Sequence, residues 1–432
     1  MAQDATEAAP VPEAPVSPMS ELGTDAAYEW RIVTLLTLGF GLVGLDRWVI
    51  SALFPAMARD LDLNYQELGV LIGALGIAWG LFSVIGGGLG DRFGRRRVLV
   101  PAIVGFSLLS GVSGLAVGLT SLLAIRIIMG ANEGAFCPVS FAAVSEASRP
   151  MRRGMNLGIT QSAFPLFGLA LGPVIATQLL QVTSWRWAFV LVGVPGLIVA
   201  ALLARTVREP PSVGAKPHER RAPAAELLKH RNVPLGMLAL LCAMSGIFSL
   251  SAMVPSYLVD YLRLSTAEMG FVTSAIGFGG FLGQLALPAL SDVIGRKPVA
   301  VGGFVFATAL VYAFAQANTI PALFALLFVG CFCCFGLLGL LTGAVAAEAA
   351  PRGLVSSTTG IIVASGEIFG GGIAPVVAGA VAQHFGIQRT LTMALIGLAT
   401  GIVVCLFLRE TAPRLAARQI TRRERSRPAG PS

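Results

Sequence analysis

The sequence predicts an all-α integral membrane protein whose twelve transmembrane helices form two pseudo-symmetric six-helix bundles. Three observations lead there. The 432 residues are 55% hydrophobic and only 12% charged, with mean hydropathy +0.77, outside the range of soluble domains. Apolar runs recur along the chain, each near the ~20 residues needed to cross ~30 Å of hydrocarbon. A short stretch rich in glycine and basic residues occurs twice, about 200 residues apart.

Residues 1–29 are Ala/Pro-rich and acidic, with no Lys or Arg, and read as a disordered tail without a cleavable leader. Six apolar runs follow at 32–57, 66–89, 98–118, 120–146, 155–181 and 187–207, making an N-terminal bundle over 30–207. The polar stretch 208–233 is a linker. Runs at 235–259, 267–290, 298–316, 319–346, 354–382 and 389–408 make a second bundle over 234–410, and 411–432 is a basic tail. In this order 25 of the 31 lysines and arginines fall on the side of the N-terminus, and four on the other. The bias places both termini in the cytoplasm, in an inner membrane. It also accounts for the net charge of +8 without nucleic acid.

The six cysteines lie within apolar runs and read as packing residues; Cys331, Cys333 and Cys334 have no nearby His. No metal or cofactor is expected, and the chain is expected to act as a monomer.

The repeat is Gly87-Gly-Leu-Gly-Asp91-Arg92-Phe-Gly94-Arg95-Arg96 after the second run and Pro288-Ala-Leu-Ser-Asp292-Val-Ile-Gly295-Arg296-Lys297 after the eighth. Glu146 with Glu348 and Pro173 with Pro375 keep nearly the same offset. Two homologous bundles suggest transport through an interface site near the midplane. The loop reads as a gate: glycines permit close packing, and Asp91 or Asp292 accepts from a helix N-terminus or an arginine. These stretches resemble the major facilitator superfamily over residues 30–410, with Pro288 and Val293 departing from the pattern in the second copy.

Asp46 and Arg47 stand in the middle of the first run. A charge at bilayer depth costs roughly 2.5–3.5 kcal/mol on insertion scales, so such residues face a cavity, pair and serve function. Arg126 and Glu133 are seven residues apart in the fourth run, on one helix face. Counting the rise along each run puts Arg126 about 10 Å from the outer edge and Asp46 about 21 Å from the inner edge, at similar depth. Glu133 sits one or two turns nearer the cytoplasm. A substrate anion occupying an arginine would release a carboxylate to take up a proton. A static ion-pair network is the competing reading.

Leu45-Asp46-Arg47, Arg126 with Gly130, Glu133 and Pro138, and Pro255-Ser-Tyr257-Leu resemble the anion:cation symporter family. That resemblance implies proton-driven uptake of small organic anions such as sugar acids or aromatic carboxylates. It makes Asp46 and Glu133 proton-coupling groups, and Arg47 and Arg126 anion-binding or gating residues. Gln161 and Tyr257 join them by family position. Glu367, deep in the second half, is a third protonation site, a partner for substrate hydroxyls, or a neutral acid in helix packing.

An Asp-Arg pair similar to that of spinster-like lipid transporters keeps open the export of an amphiphile, lipid or drug. A non-transporting sensor would need an output domain. A membrane enzyme would need a metal or nucleophile constellation, and neither is present in the sequence.

Overall fold

A computed structural model describes residues 26–149, 152–208, 224–350 and 355–411. Twelve helices in it are long and apolar enough to cross a membrane. The first six are α1 (Ala26–Leu61), α2 (Tyr65–Phe93), α3 (Arg95–Ser113), α4 (Leu119–Ala147), α5 (Arg153–Val182) and α6 (Trp185–Thr206). After a short helical turn at Ala224–Leu227 come α7 (Asn232–Tyr261), α8 (Thr266–Ile294), α9 (Arg296–Gln316), α10 (Ile320–Ala349), α11 (Thr358–Phe385) and α12 (Arg389–Leu406).

The internal repeat is visible in the way helices start and stop. Asn64 caps α2 through Glu67 N–H at 3.0 Å, while the Glu67 carboxylate accepts from Asn64 N–H at 2.8 Å. Ser265 and Glu268 form the same reciprocal box on α8, at 3.3 and 2.8 Å. Each box satisfies two donors that a helix start leaves open. Asp62 and Arg263, which lead into the boxes, share a left-handed backbone with φ of 52° and 60°. At the other ends, α2 turns into α3 at Gly94 (φ 99°) and α8 into α9 at Gly295 (φ 118°). A side chain there would be strained, which explains why the motif holds glycine in both copies.

Within each bundle the closest pair is equivalent: α2 packs on α4, and α8 on α10. Between the bundles, α2 meets α11 and α5 meets α8. Those contacts close tightly toward the face that carries Asn64 and Ser265. There the Tyr65 hydroxyl donates to Asp260 Oδ2 across the bundles at 2.8 Å. Gly277 of α8 sits so close to α5 that a Cβ would lie 1.9 Å from the Ala170 nitrogen. Toward the Gly94 and Gly295 face the same pair loosens, and a Cβ on Gly158 of α5 would meet only Leu285 Cδ2 of α8, at an ordinary 3.8 Å. Gly277→Ala is therefore expected to cost roughly 1–3 kcal/mol by overpacking. The melting temperature of the purified protein reads this out, and an unchanged value would mean that the bundles part freely at Gly277.

The gating motif has its own arrangement. Arg95 donates to Glu146 through Nη2 at 2.7 Å, and Arg296 to Glu348 through Nη2 at 2.9 Å. Each pair ties the start of α3 or α9 to the far end of α4 or α10, inside one bundle. Asp292 joins Arg296 at 2.7 Å from its own helix end. Arg92 is exposed, with its guanidinium 5.1 Å from the Phe93 ring centre, and Arg96 is exposed. Gly87 and the side chain of Asp91 lie outside the described residues. All six cysteines are free and buried in the spans.

Candidate functional site

Five charged side chains meet where the bundles face each other. Asp46 and Arg47 come from α1, Arg126 and Glu133 from α4, and Glu367 from α11. All five are buried, with Arg126 and Glu133 at 0% relative exposure. Glu133 lies within electrostatic range of the other four. With every group ionised the cluster carries three negative and two positive charges, so a single bound proton makes it neutral.

Arg47 spans the interface. Its Nη1 and Nη2 both donate to Glu367 Oε2 at 3.2 Å. Space for this pair comes from two glycines. A Cβ on Gly371 would stand 2.7 Å from Glu367 Oε2, and one on Gly76 would stand 3.1 Å from Arg47 Nη2. Gly371 and Gly372 thus have a local purpose: they let α11 approach α2 beside a carboxylate, while Gly366 and Gly370 let it approach α7. Around the guanidinium stand Phe248 at 4.9 Å, Trp48 at 5.8 Å, and Trp79 and Phe164 at 6.0 Å to ring centres. A weakly hydrated, planar cation suits such an aromatic setting better than an ammonium would. The rings come from both bundles, Phe248 from the second and the rest from the first.

Arg126 is held differently. Its Nη1 donates to the backbone oxygen of Asp46 at 2.8 Å and touches Met129 Sδ at 3.7 Å. The guanidinium packs 5.8 Å from the centre of Phe189. Its Nε and Nη2 have no hydrogen-bond partner. Both carboxyl oxygens of Glu133 and Oδ1 of Asp46 are likewise without partners, while Ser110 stands beside the Asp46 carboxylate. The indole nitrogens of Trp48 and Trp79 and the hydroxyls of Ser51, Ser249 and Ser251 share that condition. Buried polar groups are nearly always paired, and each exception calls for an explanation. Within the charged cluster the exceptions include both donors, on Arg126, and acceptors, on Glu133 and Asp46. A small molecule with a carboxylate and an aromatic or polyhydroxy body would satisfy them.

Asp46, Arg47, Arg126 and Glu133, singled out by their depth in the first and fourth runs, are thus brought together, and Glu367 joins them as the ion-pair partner of Arg47. Gln161 is half-buried on α5, and none of the cluster's hydrogen bonds reaches it. Tyr257 is buried but stacks on Tyr261, with centres 5.2 Å apart, and against Phe314 at 6.1 Å. It sits nine residues beyond Phe248 on α7, about 13 Å along the axis. Sequence reasoning missed the aromatic cage. A signal was present: Trp48 and Trp79 fall inside apolar runs, whereas tryptophans in membrane proteins gather at the interfaces.

Comparison with known proteins finds relatives of the chain as a whole. The family model described as Major Facilitator Superfamily matches residues 36–362 and again 236–430. A probable 4-methylmuconolactone transporter of Cupriavidus pinatubonensis is 29% identical over 411 residues, covering 91% of this chain and 93% of that protein. A hexuronate transporter of Bacillus subtilis is 31% identical over 281 residues, which cover 63% of this chain and 66% of its own. Among solved structures, a bacterial homologue of the human lysosomal transporter Spinster in an inward-facing, occupied conformation superposes with TM-score 0.75. That match has 18% identity and covers 94% of this chain and all of the other.

Proposed function

The chain belongs to the major facilitator superfamily, and on that premise we propose that it is a proton-coupled symporter of a small organic anion. It is a multi-pass membrane transporter whose relatives include transporters named for hexuronate and 4-methylmuconolactone. The observation that carries the finer reading is the presence, in one buried cluster, of unmet donors on Arg126 and unmet acceptors on Glu133 and Asp46. In this reading the substrate carboxylate binds Arg126. Glu133 and Asp46 hold the proton, and the tryptophans and serines contact the body of the substrate.

The Arg47–Glu367 pair supports a mechanical role for the same cluster. It links the bundles through two buried charges, so its making and breaking weighs on their relative position. With both termini cytoplasmic in this reading, the tightly packed Asn64 and Ser265 face is the external one and the looser Gly158 side is the internal one. Alternating access would then open the Tyr65–Asp260 and Gly277–Ala170 contacts and close the Gly158–Leu285 side. In this mechanism residues 30–207 and 234–410 are the two moving units, set in an inner membrane.

The test is uptake into proteoliposomes under an inward proton gradient, with labelled hexuronate and labelled benzoate as probes. Accumulation of one of them that collapses with a protonophore is the expected result. Accumulation indifferent to the protonophore would remove proton coupling, and outward pumping of both would favour an exporter. Arg126→Ala is expected to weaken binding roughly a hundredfold or more, the scale for deleting one partner of a buried charge contact. Unchanged affinity in a variant with a normal melting temperature would take Arg126 out of the site.

A further inference from the structure

Away from the central cluster, the face bearing the Gly94 and Gly295 turns holds a cavity of about 540 Å³ lined by Tyr28, Arg31, Arg96, Arg205, Thr206, Val207 and Arg208. We propose that this cavity binds the phosphate-bearing headgroup of an anionic lipid. Its walls come from the start of α1, the start of α3 and the end of α6. Among its described lining residues none is acidic. The acid next to Tyr28 in sequence, Glu29, is turned away: it is fully buried, accepting from Asn156 Nδ2 at 2.9 Å and lying 3.8 Å from Arg149 Nε. Four guanidiniums line one hollow, and their planar forks match phosphate oxygens in particular.

The rim is built as well as charged. Arg208 lies 4.5 Å over the Tyr28 ring, its backbone N–H donates to the Tyr28 hydroxyl at 3.3 Å, and Val207 between them is buried. The volume falls within the range of small-molecule sites.

A lipid is favoured over a free anion by what adjoins the cavity. All its arginines sit at the ends of membrane spans, at headgroup level. Trp30, exposed beside Arg31, is the residue type that anchors at that level. Below Arg205, the exposed side chains Leu191, Val194, Ile198 and Leu202 form one stripe along α6 that ends at the cavity. An acyl chain laid on that stripe brings its headgroup to the arginines. Basic pockets between spans on the cytoplasmic side suit anionic headgroups on general electrostatic grounds.

The experiment uses the full chain, purified and delipidated in mild detergent. Phosphatidylglycerol, phosphatidylcholine with the same acyl chains, and inorganic phosphate are added separately, and the melting temperature is followed. Phosphatidylglycerol should raise it, with the other two giving a much smaller shift. In Arg205→Gln/Arg208→Gln the half-saturating phosphatidylglycerol concentration should rise roughly tenfold or more. Lys229→Gln/Arg231→Gln, on the same face outside the cavity, should behave as the parent. Lipid retained in native mass spectrometry gives a second readout if the first pair melts early. Equal shifts from the two lipids overturn the proposal, as does equal loss in both variant pairs. A full shift from inorganic phosphate alone would overturn the lipid as occupant.

Discussion

Arg47→Met is expected to abolish uptake and to destabilise the protein by about 3–5 kcal/mol, the scale for breaking a buried ion pair from one side. The Glu367 carboxylate would lose the guanidinium that donates to it twice at 3.2 Å. The pair is tightly enclosed, with the Phe248 ring centre 4.9 Å from the guanidinium and so little space beside Gly371 that a Cβ there would stand 2.7 Å from Glu367 Oε2, so water cannot easily replace the cation. The double change Arg47→Met/Glu367→Met should recover most of the melting temperature, because two apolar side chains of similar volume leave no charge unpaired. It should not recover uptake. This divergence separates a pair kept for stability from one kept for function. Uptake by the double variant near the parental rate would make the pair structural, and a single variant as stable as the parent would mean that Glu367 is neutral without its partner.

Much of this site was legible before any coordinates. Asp46, Arg47, Arg126 and Glu133 announce themselves because charge at bilayer depth is expensive, and helical rise gives their depth. The two-fold repeat is likewise readable, since Gly94 and Gly295 need a backbone open mainly to glycine. What could not be read was direction around each helix. Spans that are apolar on all sides have no polar face to mark the core, so nothing local says that α11 turns Glu367 toward Arg47, 320 residues away. The gate motif shows the same limit. Its arginines select Glu146 and Glu348, and that choice depends on where α4 and α10 end in space. Tyr257 matched a family position by sequence, yet its ring went to the Tyr261 stack.

Glu133→Gln should uncouple transport from the proton gradient while leaving exchange of substrate across the membrane intact. The reasoning is one of charge count. Three carboxylates and two arginines hold one proton at neutrality, whereas removing one titrating carboxyl gives two and two, neutral with none. Of the three acids, Glu367 is committed to Arg47, and Asp46 has Ser110 beside it and its own carbonyl on Arg126. Glu133 alone has both oxygens without partners and no exposure, so it is the group that a proton can serve at least expense to other contacts. For a monocarboxylate moved with one proton, a gradient of one pH unit sustains about tenfold accumulation. In Glu133→Gln that ratio should fall to about one, with counterflow exchange near the parental rate. Asp46→Asn should also reduce accumulation, through its electrostatic contact with Glu133, but by less. Full accumulation in Glu133→Gln together with its loss in Asp46→Asn would move the proton site to Asp46. Loss of exchange as well as accumulation in Glu133→Gln would instead make Glu133 part of the anion site or its gate.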